Sequence, residues 1–237
     1  MTAANSSPSP SDRPVVLIHG FGSSTEALWR KAGWIDAFEA AGRMVIGVDL
    51  PGHGTEKNNV ERDPADVLLA LAAEHGPIDA VGFSAGSWAV LTAAGEQPEL
   101  FHRIAVLGAA DVVLTQSLHT REMQAPMIAA ILTAEAPKDN PMASVILGLI
   151  AEAGNDPEAV AGYLRTDKRF CTRESLAAIT SPTLVVEGVD DMAGSSALVS
   201  QAIPNGELLS IPGAGHFDIP AREQTRAAVT AFLNQGG

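Results

Sequence analysis

The chain has 237 residues, a formal charge of −13, 46% hydrophobic residues and a single cysteine, Cys171. That length and apolar content suffice for one α/β core, no apolar run approaches the ~20 residues of a membrane helix, and an intrachain disulfide is excluded. The acidic balance argues against nucleic acid and anionic membrane surfaces as partners, and the lone cysteine fits a reducing cytoplasm.

Residues 1–14 are rich in Ser, Pro and Ala and lack both a basic start and an apolar centre. They read as a flexible tail rather than a secretory signal. Val15 to Ile18 is a continuous apolar run, the pattern of a strand buried on both faces. It ends in His19-Gly20-Phe21-Gly22, where two glycines let backbone N–H groups approach a ligand. Glu26 to Ala41 reads as mostly helical with an interruption at Gly33, and Gly42 suits a helix C-terminus. Met44 to Val48 is a second buried strand, followed by the turn Asp49-Leu50-Pro51-Gly52-His53-Gly54. Asp63 and Pro64 open a helix with Val67, Leu68 and Leu71 on its apolar stripe.

Ile78 to Phe83 is the third strand. It runs into Gly82-Phe83-Ser84-Ala85-Gly86, followed by helix formers from Ser87 to Glu96. A Gly-x-Ser-x-Gly turn between a strand and a helix strains the serine backbone and holds its hydroxyl clear of the sheet. The N–H of Ala85 then lies unpaired at a helix start. Arg103 to Leu107 is a fourth strand, ending near Asp111. Strand–helix alternation with short connections implies a parallel sheet with right-handed crossovers, and ligands gather at the carboxyl ends of such strands. Phe21, Ser84 and Asp111 all lie at those ends.

No strand is evident between Asp111 and Ser181. Helices are expected to open at Pro126, at Asn140-Pro141 and at Asp156-Pro157, each with an apolar stripe. Residues 111–181 therefore read as a helical cap inserted into a core formed by residues 15–110 and 182–237. The sheet resumes at Thr183 to Val186, followed by Asp190-Asp191, a helix over 195–203, a strand from Glu207 to Ile211, and a closing helix after Pro220.

A serine hydroxyl near neutral pH needs a base, and the base needs a partner that fixes its tautomer. His216, in the glycine-rich loop after the final strand, is the candidate base. His53 reads as a structural residue of its turn, and His19 as a residue that fixes the glycine loop. The acid should lie between serine and histidine in the chain. Asp191 is better placed than Asp190 or Asp111, because three residues after Gly188 leave room for a turn back to the histidine. The N–H groups of Phe21 and Ala85 are the candidate oxyanion donors. No His-x-x-x-His or paired cysteines appear, so neither metal nor cofactor is expected.

His19-Gly20-Phe21-Gly22, Asp49-x-Pro51-Gly52-x-Gly54, Gly82-x-Ser84-x-Gly86, Gly188-Val189-Asp190-Asp191 and Gly213-Ala214-Gly215-His216-Phe217, in this order, resemble the α/β-hydrolase superfamily. The resemblance covers nearly everything after residue 14. It implies Ser84 as nucleophile, Asp191 as acid, His216 as base, and Phe21 and Ala85 as oxyanion donors. It implies a mostly parallel sheet of about six strands flanked by helices. With 14 residues before Val15, the family's N-terminal hairpin is expected to be missing, and Met192-Ala193-Gly194-Ser195 stands where a Pro-rich loop is common in the family. The expected activity is hydrolysis of small to medium hydrophobic carboxylic esters through an acyl-enzyme. A thioesterase, a lactonase or a C–C bond hydrolase would use the same residues, and a non-hydrolytic ligand-binding member is a further alternative.

Overall fold

The computed structural model describes residues 13–116, 118–133 and 141–235. The expected tail lies outside them except for Arg13 and Pro14. The sheet consists of β1 (Val15–Ile18), β2 (Val45–Val48), β3 (Ile78–Phe83), β4 (Phe101–Leu107), β5 (Thr183–Gly188) and β6 (Gly206–Ile211). All pairings are parallel, in the order β2-β1-β3-β4-β5-β6. β1 and β3 are buried at every position, as strands covered on both faces must be. β2 departs from the expectation of a second buried strand. It is an edge strand, only Val48 is fully buried, and Met44 beside it is 47% exposed.

The helices are α1 (Trp34–Ala40), α2 (Pro64–His75), α3 (Ala85–Glu96), α4 (Val112–Thr115), α5 (Leu118–Leu132), α6 (Pro141–Glu152), α7 (Pro157–Arg165), α8 (Arg173–Ala177), α9 (Ala197–Ala202) and α10 (Glu223–Leu233). Alternate strand residues feed two cores. Val16, Ile18, Ala80 and Val106 meet α2, α3, α8 and α9 on one face. Val15, Leu17, Val81 and Leu107 meet α1 and α10 on the other, with Trp29, Trp34 and Phe38 among the largest buried side chains. This is the period of two that a sheet imposes.

Local signals explain most helix limits. Asp63 accepts the N–H of Ala65 at 2.9 Å, and Asp156 accepts that of Glu158 at 3.1 Å, with Pro64 and Pro157 in the first turns. Gly33, at φ 72°, breaks the expected long helix into a π-helical turn, Thr25–Arg30, and α1. Pro126 does not open a helix: α5 begins at Leu118 and runs through it. Proline inside a helix gives up one backbone hydrogen bond, and the helix continues beyond it into Ala129 and Leu132, which are buried in the core of the inserted helices. Asn140 lies outside the described residues. Pro220 falls within a 3₁₀ turn, His216–Ala221, so α10 starts only at Glu223. α9 starts at Ala197, and the short α4 and α8 carry no sequence signal strong enough to be foreseen.

Chain order decides where a ligand can sit. From β1 the chain passes to β2 on one side, then crosses back to β3 on the other. The carboxyl ends of β1 and β3 thus flank the point where the winding reverses, the crevice in which open parallel sheets hold ligands. Among the described residues, no helix is long and apolar enough to cross a membrane.

Two glycines give a direct test of this packing. A Cβ on Gly86 would lie 2.3 Å from the Ile18 carbonyl oxygen and 2.6 Å from that of His19, so α3 could not approach β1. A Cβ on Gly148, within α6, meets nothing within 4 Å. We expect Gly86→Ala to destabilise the fold by about 1–3 kcal/mol and Gly148→Ala to stabilise it by about 0.5–1 kcal/mol. Urea unfolding midpoints at constant slope would report both.

Candidate active site

Ser84 joins β3 to α3 with φ 51° and ψ −113°. Among the described residues it is the one non-glycine at positive φ. Such a conformation costs about 1–3 kcal/mol and persists only where the surroundings impose it. They do so here. The Ser84 N–H donates to the Leu107 carbonyl at 2.8 Å, at the end of neighbouring β4. The Ser87 hydroxyl donates to the same carbonyl at 2.9 Å and accepts the Leu107 N–H at 3.1 Å. Gly82 allows the return of the chain, since a Cβ there would lie 2.6 Å from the Gly86 carbonyl oxygen.

The Ser84 hydroxyl lies 3.0 Å from His216 Nε2, and His216 Nδ1 lies 2.8 Å from Asp191 Oδ2. A neutral ring protonated on Nδ1 satisfies both contacts, donating to the carboxylate and accepting from the serine. The Asp191 side chain is 1% exposed and that of His216 12%. The second carboxylate oxygen of Asp191 accepts the Ala193 N–H at 2.7 Å, which fixes its plane. Phe83 and Phe217 pack on the imidazole, with ring centroids 5.1 and 5.3 Å away.

The structure separates the three candidate acids. Asp190 is exposed. Asp111 accepts the Val199 N–H at 3.0 Å, and its own N–H donates to the Ser195 carbonyl at 2.7 Å, so it caps α9 and braces the acid loop. Glu187 braces the same loop by accepting from the Ser195 hydroxyl at 3.0 Å and the Ser196 N–H at 2.7 Å. Neither Ser87 nor Glu187 stands out in the sequence, since serine on a helix and glutamate at a strand end have no distinctive pattern.

Phe21 and Ala85 lie together on the wall of a cavity of about 800 Å³. Among the described residues, the amide N–H of neither meets an acceptor. From Ala85 the cavity follows α3 past Trp88, Ala89 and Thr92, and it is roofed in part by Pro126 and Ile128 of α5. Seven residues of helix at ~1.5 Å each give it a reach of about 10 Å from the serine turn.

Two buried histidines tie the Phe21 loop to the turn after β2. His19 Nε2 accepts the Leu50 N–H at 3.0 Å, and its Nδ1 donates to the Gly20 carbonyl at 2.8 Å. His53 Nε2 accepts the Gly22 N–H at 3.0 Å, and its Nδ1 donates to the Pro51 carbonyl at 2.9 Å. Burial pushes His53 down to about 3, so it stays a neutral acceptor. Burial works against the charge of Asp49, but the N–H groups of Thr25 and Thr55, which donate to its carboxylate at 2.7 and 2.9 Å, hold the carboxyl well below its usual range. Among the described residues, no cluster of three His, Cys, Asp or Glu could hold a metal ion.

A parallel sheet whose third strand delivers a strained serine to the reversal point of the winding defines an α/β-hydrolase fold. The chain belongs to the alpha/beta hydrolase family, whose model matches residues 15–231. It is 27% identical over 259 aligned residues to the dihydrolipoyllysine-residue acetyltransferase component of the acetoin cleaving system of Pseudomonas putida, a match covering 94% of this chain and 64% of that protein. It is 35% identical over 101 residues to the pyrrolizixenacetamide deacetylase of Xenorhabdus hominickii, covering 40% of this chain and 37% of that protein. The chain thus spans less than two thirds of the length of either curated relative. Among solved structures, MenH from S. aureus superposes with a TM-score of 0.74 at 17% identity, covering 97% of this chain and 96% of that one. At that identity the likeness speaks to the fold alone.

The depressed His53 has a measurable consequence. Between its unfolded value near 6.5 and its folded value near 3, the unfolded chain takes up a proton that the native chain refuses. Stability contributed by neutral His53 is therefore full above pH 6.5 and falls as the pH drops towards 3, by up to ~1.4 kcal/mol per pH unit. Urea unfolding of the wild type and of His53→Gln between pH 4.5 and 7 should show a shallower pH dependence in the variant.

Proposed function

We propose that the chain is a serine hydrolase of carboxylic esters. Ser84 is the nucleophile, His216 the general base, Asp191 its acidic partner, and the N–H groups of Phe21 and Ala85 the oxyanion donors. The observation that carries this reading is the hydrogen-bonded row from Ser84 through His216 to Asp191 beside two open amides.

Each step of the proposed route uses a group of this row or one of the two amides. His216 Nε2 takes the Ser84 proton as Oγ bonds to the ester carbon. The carbonyl oxygen becomes an oxyanion between the two amides, where fixed donors are worth several kcal/mol because nothing has to reorganise. Buried Asp191 stabilises the imidazolium and holds its tautomer. Collapse of the intermediate breaks the bond to the leaving oxygen, which receives the proton from His216. A water molecule then gives its proton to His216 and its oxygen to the acyl carbon, and Ser84 leaves with the proton restored.

The acyl part is held in the apolar cavity along α3, because the leaving oxygen has to face His216. Helices α5 to α7 act as a cap over it. The partial likeness to a deacetylase is in keeping with an acyl group in that place. The reducing setting suggested by a lone cysteine makes the cytoplasm the proposed location, and a neutral small-molecule ester the proposed partner.

The test is hydrolysis of p-nitrophenyl esters from acetate to octanoate. Ser84→Ala should lower kcat by roughly 10⁴-fold or more. Asp191→Asn, which leaves the ring in the wrong tautomer, should lower it by roughly 10³–10⁴-fold with little change in KM. Equal turnover by the wild type and Ser84→Ala would refute the mechanism.

A further inference from the structure

The loop that carries Phe21 belongs to two bodies at once. Its backbone leaves β1 and is bound to the core by His53. Its side chain rests edge-on against His53, with ring centroids 5.6 Å apart, and reaches the inserted helices. The Phe21 ring packs on the cluster formed by Ala129 and Leu132 of α5, Ile150 of α6, and Val160 and Ala161 of α7, so it is part of the inserted helices' own core.

One side chain fastens the same loop by its carbonyls. Asn155 lies in the connection between α6 and α7. Its Nδ2 donates to the Gly22 carbonyl at 3.0 Å and to the Ser23 carbonyl at 2.7 Å. Its Oδ1 accepts the Gly54 N–H at 2.8 Å, in the turn after β2. A single amide thus uses both donors and its acceptor on backbone groups of two separate core loops. The helices also approach those loops closely. A Cβ on Gly52 would lie 2.5 Å from the Ala159 carbonyl oxygen of α7, and one on Gly22 would touch Ile150 at 3.4 Å.

Gly22 is therefore held at its N–H by His53 and at its carbonyl by Asn155. Phe21 is the residue immediately before it. With the ring gripped by α5 to α7 and the following residue fixed at both ends, little freedom is left to the Phe21 N–H. We propose that Asn155 is a positioning residue for the oxyanion loop, and that the Phe21 amide is aimed at the reacting carbonyl only while the inserted helices are docked on that loop. The inference rests on the role given to Phe21 under Proposed function. Its consequence is that the helices which enclose substrate also complete the catalytic geometry, so closure and activation are one event. Gly154-Asn155-Asp156-Pro157 reads in sequence as an ordinary helix-opening turn, and only the fold brings Asn155 against residues 22, 23 and 54.

The test compares the full-length wild type, Asn155→Ala and Asn155→Asp, with Ser84→Ala as control, on p-nitrophenyl butyrate. A loosened donor should lower kcat by about 10- to 100-fold with KM within about twofold, since the loss falls on the transition state. Affinity for an alkyl trifluoromethyl ketone, which forms a tetrahedral oxyanion on the serine, should weaken by the same factor as kcat/KM. The acidic limb of the pH profile of kcat/KM should stay in place, because neither Ser84 nor His216 is altered. Asn155→Asp keeps the size of the side chain and the acceptor for Gly54 but turns a carboxylate oxygen on the Gly22 and Ser23 carbonyls in place of the two donors, so a folded Asn155→Asp decides the matter if Asn155→Ala does not fold. A serine-dependent enzyme in which folded Asn155 variants keep wild-type kcat and ketone affinity would overturn this inference alone. Full activity in Ser84→Ala would overturn it together with the proposed function.

Discussion

The molecule is organised around a serine whose backbone is held where serine would not choose to be. At φ 51° Ser84 carries strain of about 1–3 kcal/mol, and three independent contacts keep it there. β4 receives its N–H on the Leu107 carbonyl, Ser87 binds the same residue from the first turn of α3, and the glycines at 82 and 86 let the chain close on itself and on β1. The strain has a use in the proposed chemistry. It lifts the hydroxyl out of the sheet towards His216 and leaves the next amide, that of Ala85, open to the cavity.

The remaining parts of the site are held by loops rather than by regular structure, and each loop is braced from outside itself. Asp111 and Glu187 steady the segment that bears Asp191. His19, His53 and Asn155 steady the segment that bears Phe21. The two buried histidines work as hydrogen-bond relays, and burial suits His53 to that role by suppressing its charge. In the proposed chemistry the inserted helices contribute both a roof and a brace, and the second contribution would tie the shape of the cavity to the geometry of the reacting centre.

Much of this is legible in the residues themselves. Runs such as Val15 to Ile18 and Ile78 to Phe83 can only be strands covered on both faces, and Gly-x-Ser-x-Gly between a strand and a helix has few other meanings. Turn geometry favours Asp191 over Asp190 and Asp111, and the structure brings Asp191 to His216 while giving Asp111 to α9. Sequence is silent where meaning depends on distant contacts. Asn155, Ser87 and Glu187 are common residue types whose partners lie elsewhere in the chain. Pro126 misleads because a proline can also be carried inside a helix, and nothing in its immediate sequence distinguishes the two positions. The apolar run of β2 suggests more burial than the strand has, because no short stretch of sequence says whether a strand lies at the edge of a sheet.

The most direct test of the central claim is rapid-quench mass spectrometry during turnover of p-nitrophenyl butyrate. A covalent route through Ser84 predicts a butyryl adduct on the peptide containing Ser84, abolished in His216→Ala, with a burst of p-nitrophenol that approaches the enzyme concentration where deacylation is the slower step. Steady turnover with the adduct on another residue would contradict it.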